Sequence, residues 1–341
     1  MPFPIQRLRR LRETEPLRRM VRETSLTPDD FIYPVFVTEG QGRREPISSM
    51  PGQSRLSIDL LVKEAHEVKA LGIPAMILFG IPDRKDERGS SGFDPDGIVQ
   101  RAIRAVKAQV PDLVLITGDI TQQGYHREFE AAAGWLSELP DPVFVIVGNH
   151  DVPYWSLADR VFHPWQMFEQ TTGHPAHDHE FVGDGFMVRG VTTARGWQAR
   201  PNWSKGVIDL EQTQRAAQAL KASDPSTLRI LACHHPLVEM IGAPMTGEVK
   251  RGPEAAQIFA EARVDLIMTG HVHVPFALPI GVGITGCHAV GCGTLSERER
   301  GFPPSFNVVT WDDANITVTA MGWVGSGFEP MRTWHLERRR S

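Results

Sequence analysis

The chain has 341 residues, 41% of them hydrophobic, which is enough for one large domain or two ordinary ones around a well-buried core. A formal net charge of -5 argues against a surface dominated by nucleic-acid backbone contacts, which need clustered Lys and Arg. Three cysteines, Cys233, Cys287 and Cys292, exclude a disulfide framework and suit a reducing compartment.

The first feature in chain order is a basic cluster, Arg7, Arg9, Arg10, Arg12, Arg18, Arg19 and Arg22, diluted by Glu13 and Glu15. It reads as the solvated face of a helix or arm, with a contact surface for another subunit (a homo-oligomer) as the alternative. No apolar run follows Arg9-Arg10 and no stretch approaches bilayer-spanning length, so a cytoplasmic protein without membrane contact is expected.

Phe31 to Val37 is a β-branched and aromatic run that predicts a strand, and the apolar spacing from Ile58 to Leu71 predicts a helix. Ala75 to Phe79, bounded by Pro74 and Gly80, predicts a strand covered on both faces. Asp94-Pro95 opens a helix whose stripe is Ile98, Ala102, Ile103 and Val106, and Leu113 to Thr117 is the next strand, closing a βαβ unit. The rhythm continues with a helix from Arg127 to Leu136, a strand from Val143 to Val147 and a helix from Leu210 to Ala222. Strands follow at Arg229 to Cys233 and Val264 to Thr269, and the text beyond Gly281 is β-rich, with Phe306 to Thr310 and Ile316 to Met321 alternating. Cys287 and Cys292, in a Gly-rich apolar stretch, read as buried strand or turn positions.

Four polar motifs each follow an apolar run: Gly118-Asp119, Gly148-Asn149-His150-Asp151, His234-His235-Pro236 and Gly270-His271-Val272-His273. Each is delivered to the carboxyl edge of a sheet, where open α/β folds place their sites. Any one alone is an ordinary turn or core feature, whereas four in order at strand exits point to one site. Asp, Asn and His together are the oxygen and nitrogen ligands that two neighbouring divalent cations need, and they suit Mn, Fe, Zn or Co.

The segment from about 111 to 330 resembles the calcineurin-like metallophosphoesterase family, and within it the bacterial branch that includes cyclic-nucleotide phosphodiesterases. The resemblance also rests on Thr117-Gly-Asp-Ile-Thr-Gln122, Val147-Gly-Asn-His-Asp-Val152, Thr193-Ala-Arg195 and Ser305-Phe-Asn-Val308. It implies an αββα sandwich in which Asp119 bridges two metals. Asn149, His234 and His271 complete one metal shell and His273 belongs to the other. His150 sits over the phosphate with Asp151 orienting its ring, and a hydroxide between the metals attacks phosphorus in line. His235 has no ligand position in this resemblance, and the imidazole-rich stretch Gly173 to His179 is expected to be a solvent-facing loop.

The family's first motif, an Asp-x-His, is absent before Asp119, leaving one well-formed metal site and one incomplete site. The front of the chain, about 7 to 117, instead resembles 5-aminolevulinate dehydratase, also called porphobilinogen synthase. The matching text is Arg9-Arg-Leu-Arg, Asp30-Phe-Ile-Tyr-Pro-Val-Phe-Val37, Arg44-Glu-Pro-Ile-Ser-Ser-Met-Pro-Gly52, Leu78-Phe-Gly-Ile-Pro-Asp83 and Asp94-Pro-Asp-Gly-Ile-Val-Gln-Arg-Ala-Ile-Arg104. This implies a subunit-embracing arm and a truncated (β/α) barrel fragment. That family's working lysines lie beyond this portion, and after Thr117 the chain has only Lys205, Lys221 and Lys250, in no similar context.

An unpaired edge left by the missing first strand would be costly, so Ala75 to Phe79 is expected to replace it as part of the sandwich's first βα unit. Asp83 would then stand where a lost ligand stood. The domains expected are 1–72, loosely packed or driving association, and 73–341, the phosphoesterase-like domain. The function expected is metal-dependent hydrolysis of a small phosphodiester or phosphomonoester, impaired by loss of the first metal motif. The alternatives are a porphobilinogen synthase-like protein of tetrapyrrole biosynthesis and a non-catalytic assembly partner.

Overall fold

A computed structural model describes residues 14, 26–84, 86–92, 94–109, 111–154, 156–199, 202–238, 249–280, 286–296 and 301–338. The basic cluster from Arg7 to Arg22 lies outside the described residues. The chain is α/β and divides into two compact units, Met1–Pro111 and Asp112–Ser341. Among the described residues no helix is long and apolar enough to cross a membrane.

The first unit holds β1 (Ile32–Thr38), β2 (Arg44–Pro46), β3 (Ser54–Leu56) and β4 (Ala75–Ile81) in one sheet of order β2-β3-β1-β4. Its helix Ile58–Ala70 starts after Ser57, whose extended backbone (ψ 161°) suits an N-cap, and buries Leu61, Val62, Ala65 and Val68. That stripe and the helix Ile98–Gln109 cover one face of the sheet, where Val35, Val37, Leu56, Leu61, Ile98 and Ala102 form the core with Met76 and Leu78 packed against them.

Here the structure corrects two expectations. Strand β4 pairs in parallel with β1 along its whole length, from Ile32↔Ala75 to Thr38↔Ile81, so it does not stand in for the first strand of the sandwich. The chain therefore divides at 111/112 and not at 72/73. The reason is that Met76 and Leu78 already have a core partner in Val35, Val37 and the two helices.

Among the described residues the second unit is built on two sheets and a separate strand pair. Strands β7 (Glu180–Gly183), β8 (Phe186–Gly190), β9 (Leu228–Ala232), β10 (Leu266–Thr269), β11 (Phe276–Pro279) and β12 (His288–Gly291) form a sheet of order β11-β12-β10-β9-β8-β7. Its four central strands are parallel, and β7 and β11 close the edges antiparallel. Opposite lie the parallel pair β5 (Val114–Ile116) and β6 (Val143–Val145) and the antiparallel meander β13 (Ser305–Trp311), β14 (Asn315–Trp323) and β15 (Phe328–Glu337).

The core between them is formed by Phe144 and Ile146 against Val188, Ile230, Leu266 and Val290, with Ile316 and Val318 from the meander. Alternate residues of the same central strands, Leu231, Ile267 and Ala289, face the other way onto the helices Leu210–Ala222 and Gly252–Glu261. Strands buried on both faces read as continuous apolar runs for this reason. The helix His126–Leu136 and Phe168 cover the outer side of β6, completing an αββα layering. Among the described residues β5 has one ladder partner, β6.

Candidate metal centre

Parallel strands β5, β6, β9 and β10 deliver Asp119, Asn149, His234 and His271 to one carboxyl edge. The backbone there is forced: Asp119 (φ 58°), His271 (φ 65°) and His273 (φ 59°) all adopt left-handed conformations, which non-glycine residues hold only where the surroundings compel it. Glycines allow the loops to meet. A Cβ on Gly118 (φ 99°) would come within 2.7 Å of both the His234 Nδ1 and the Gly148 nitrogen, and one on Gly148 would strike the Asp119 carboxylate.

Four side-chain atoms converge. Asn149 Oδ1 lies 3.0 Å from both His234 Nε2 and His271 Nδ1. The two ring nitrogens are 3.3 Å apart, and Asp119 Oδ2 is 3.3 Å from His234 Nε2. His234 Nδ1 sits 2.7 Å from the Thr117 carbonyl, which can only accept, so that nitrogen carries a proton. A protonated ring donates from Nε2 to Asp119 Oδ2; in the neutral ring Nε2 presents a lone pair to two acceptor oxygens, which a cation at their focus would satisfy. The donor set fits one divalent ion of the borderline kind.

The electrostatics agree with this crowding. Burial alone would raise the Asp119 carboxyl, but the imidazoles of His234 and His150 hold it below the ordinary carboxylate range. Burial pulls His234 down, yet the Asp119 charge and hydrogen bond leave it above the ordinary imidazole value.

Asp151 is fully buried and acts on the backbone. Its carboxylate accepts from the N–H groups of Asp119 (2.9 Å), Gly148 (2.8 Å) and Thr121 (2.9 Å) and from the Thr121 hydroxyl (3.0 Å). It ties the first two loops together, and burial followed by the charge of Asp119 pushes it above the ordinary carboxylate range. The expectation that Asp151 orients the His150 ring is therefore corrected: the partner of His150 Nδ1 is the Gln122 carbonyl at 2.6 Å. Gln122 acts through its backbone, so its side-chain identity carried no signal.

His273 is half-buried, two residues beyond His271 on the same loop. The ring nitrogens of His234, His235 and His271 lie within 4.8 Å of one another. His235 is nonetheless committed elsewhere, with Nδ1 2.8 Å from the Thr193 hydroxyl and Nε2 2.8 Å from the Ser204 carbonyl. Burial and its charged neighbours keep it neutral, well below the ordinary value, so it braces the Thr193-Ala-Arg195 loop.

Asp83 belongs to the first unit and lies on an exposed bend. The imidazole-rich stretch is corrected too: His174, His177 and His179 are half-buried and not solvent-facing. His179 stacks on Phe144 at 3.9 Å and His177 meets Trp165 edge-on at 4.3 Å, since aromatic faces give neutral imidazoles a better surface than water does. Cys233 and Cys287 are buried and Cys292 is half-buried, its Sγ 3.1 Å from the Thr117 hydroxyl.

Comparison with known proteins gives two family matches. Residues 96–275 match the model of the calcineurin-like phosphoesterases, and residues 5–131 match that of delta-aminolevulinic acid dehydratase. Among curated relatives, the delta-aminolevulinic acid dehydratase of Synechocystis sp. is 41% identical over 186 residues, 52% of this chain and 57% of the relative. That of Synechococcus elongatus is 55% identical over 113 residues, 33% of this chain and 35% of the relative. The chain thus spans from about a third to a little over half the length of these relatives.

Solved structures are similar only loosely. A dehydratase from Toxoplasma gondii in complex with porphobilinogen is 23% identical with a TM-score of 0.30, covering 78% of this chain and 71% of that one. A single mutant of Vps29 from Entamoeba histolytica is 11% identical with a TM-score of 0.33, covering 90% and 99%. GAP50 of Plasmodium is 12% identical with a TM-score of 0.41, covering 67% and 78%.

Proposed function

Because this chain belongs to the calcineurin-like phosphoesterase family, we propose that its second unit hydrolyses phosphoesters with a divalent ion held by Asp119, Asn149, His234 and His271. The observation that carries this reading is the His234 ring, whose Nε2 faces Asn149 Oδ1 and Asp119 Oδ2 while Nδ1 is spent on a carbonyl. Bound there, the ion supplies Lewis acidity toward a phosphoryl oxygen. Mn, Fe, Zn and Co all suit the ligands.

The protein's own groups do the rest. Asp119, held ionised and anchored through Oδ1 by the His150 N–H at 2.9 Å, would hold the ion through its other oxygen, Oδ2, which faces His234 Nε2. With Nδ1 donating to the Gln122 carbonyl, the His150 ring leaves Nε2 for the phosphate, to stabilise the transition state or to protonate the leaving oxygen. Asp151 fixes the spacing of the two loops that carry these groups.

A second ion would have Asp119 and His273 but no Asp-x-His. Losing one shell costs several kcal/mol of transition-state stabilisation and thus orders of magnitude in rate, so activity is impaired. Bis-p-nitrophenyl phosphate with Mn tests the reading: turnover is expected, and Asn149→Ala should lower it at least about 100-fold. Turnover no higher than in that variant would remove the proposal.

The second reading, a porphobilinogen synthase-like activity, is favoured by the identity of residues 5–131 to dehydratases. It requires porphobilinogen formation, against which the sparse lysines after Thr117 count. A non-catalytic assembly role through the first unit would show as co-purification with an intact dehydratase.

A further inference from the structure

Arg160 lies outside the four polar motifs, on the short helix Leu157–Phe162. It is 5% exposed, and among the described residues its guanidinium forms no ion pair. A charge withdrawn from water is costly unless its donors are satisfied, and here they go to main-chain carbonyls. Nε donates to the Gly196 carbonyl at 2.9 Å, and Nη1 donates to that of Pro153 at 3.0 Å and to that of Val152 at 3.5 Å. The Trp203 ring covers the group, its centroid 5.1 Å from the guanidinium carbon.

These carbonyls belong to two loops beside the metal centre. Val152-Pro153 directly follows Asn149-His150-Asp151, and Gly196 directly follows Thr193-Ala-Arg195, whose Thr193 hydroxyl meets His235 Nδ1 at 2.8 Å. Gly196 lies so close to the helix that an added Cβ would strike the Arg160 carbonyl. The Val152–Pro153 turn in its turn presses on the loop that holds the His150 ring. A Cβ on Gly124 would lie 3.1 Å from the Val152 carbonyl carbon and oxygen, and the Tyr154 N–H donates to the Gln123 carbonyl at 3.3 Å. The neighbouring Gln122 carbonyl is the partner of His150 Nδ1.

We propose that Arg160 is a positioning residue for the hydrolysis: by tying the Val152 and Pro153 carbonyls to that of Gly196, it holds the loop of Gln122 to Gly124 and, through it, the His150 ring. The inference rests on the phosphoesterase reading and adds to it a residue that touches neither ion nor phosphate. Arginine suits the task because its planar fork reaches two loops in one fixed geometry, whereas a lysine ammonium is a single point on a flexible stem.

Arg160→Lys in the full chain, assayed with bis-p-nitrophenyl phosphate and Mn, is expected to lower kcat at least about tenfold, with KM and metal content within about twofold of wild type. In a His150→Ala background the same substitution should change kcat by less than about twofold, because the group it positions is already gone. A loss as large in that background as in wild type overturns the proposal, as does an unchanged kcat in Arg160→Lys.

A second readout is independent of turnover. The Gln122 carbonyl can only accept, so His150 Nδ1 carries the proton, the tautomer that a free histidine side chain in water disfavours. Magnetic resonance on the full chain with isotope-labelled histidine, at a pH where the ring is neutral, should show that tautomer at the His150 signal, identified by its loss in His150→Ala. Arg160→Lys should show the solution mixture, and an identical signal in both folded proteins overturns the proposal. Should wild type show no turnover, the phosphoesterase reading falls and the ring signal alone decides whether Arg160 positions His150. Should Arg160→Lys not fold, Arg160→Met, which keeps an apolar stem without the buried charge, is read in the same ways. If neither folds, the arginine serves the fold itself and the proposal is overturned.

Discussion

At the scale of single residues, the site depends on where side chains are absent as much as on where ligands are present. Gly118 lets β5 end against His234, and replacing it by Ala adds a Cβ 2.7 Å from the His234 ring at a backbone angle that Ala disfavours. Gly118→Ala should therefore cost about 1–3 kcal/mol of stability and lower metal content, read as a reduced melting temperature and by elemental analysis. The ligand candidates Asp119, Asn149, His234 and His271 were legible because each directly follows an apolar strand. The partners of Asp151 and His150 were not, because apart from the Thr121 hydroxyl they are backbone groups of Asp119, Gly148, Thr121 and Gln122, and a backbone N–H or carbonyl looks the same in every sequence.

At the scale of elements, the segment from Gly173 to His179 shows how polarity misleads. Imidazole-rich text suggests a solvated loop, yet His174 and His179 lie 4.3 Å apart against Phe144 beside strand β6. Burial, then the charge of His174, lowers His179 from 6.5 to about 4. Between those values the unfolded state binds more protons than the folded one, so stability rises with pH across that window. The contribution is fully present above about 6.5 and is lost as pH falls toward about 4. The urea midpoint should drop between pH 7 and pH 5, and His179→Phe should flatten that dependence. An equal slope in the variant would show that another group is responsible.

At the scale of the whole molecule, each apolar core cluster among the described residues draws on one unit: Val35, Leu61 and Ile98 in the first, and those around Phe259, Phe144 and Phe129 in the second. A chain beginning at Asp112 should accordingly fold cooperatively and bind metal with the affinity of the full chain, measured by calorimetry. An unfolded or metal-free product would mean that residues before Asp112 complete the second unit.

The amino-acid sequence by itself determined the two resemblances, the βα rhythm and the four strand-exit motifs, because apolar period and local turn chemistry are properties of short segments. Only the tertiary structure decided which strand neighbours β4. Ala75 to Ile81 is apolar on both faces and so is compatible with any sheet, and its partner was settled by whether Met76 and Leu78 could join the core under the helix Ile98–Gln109.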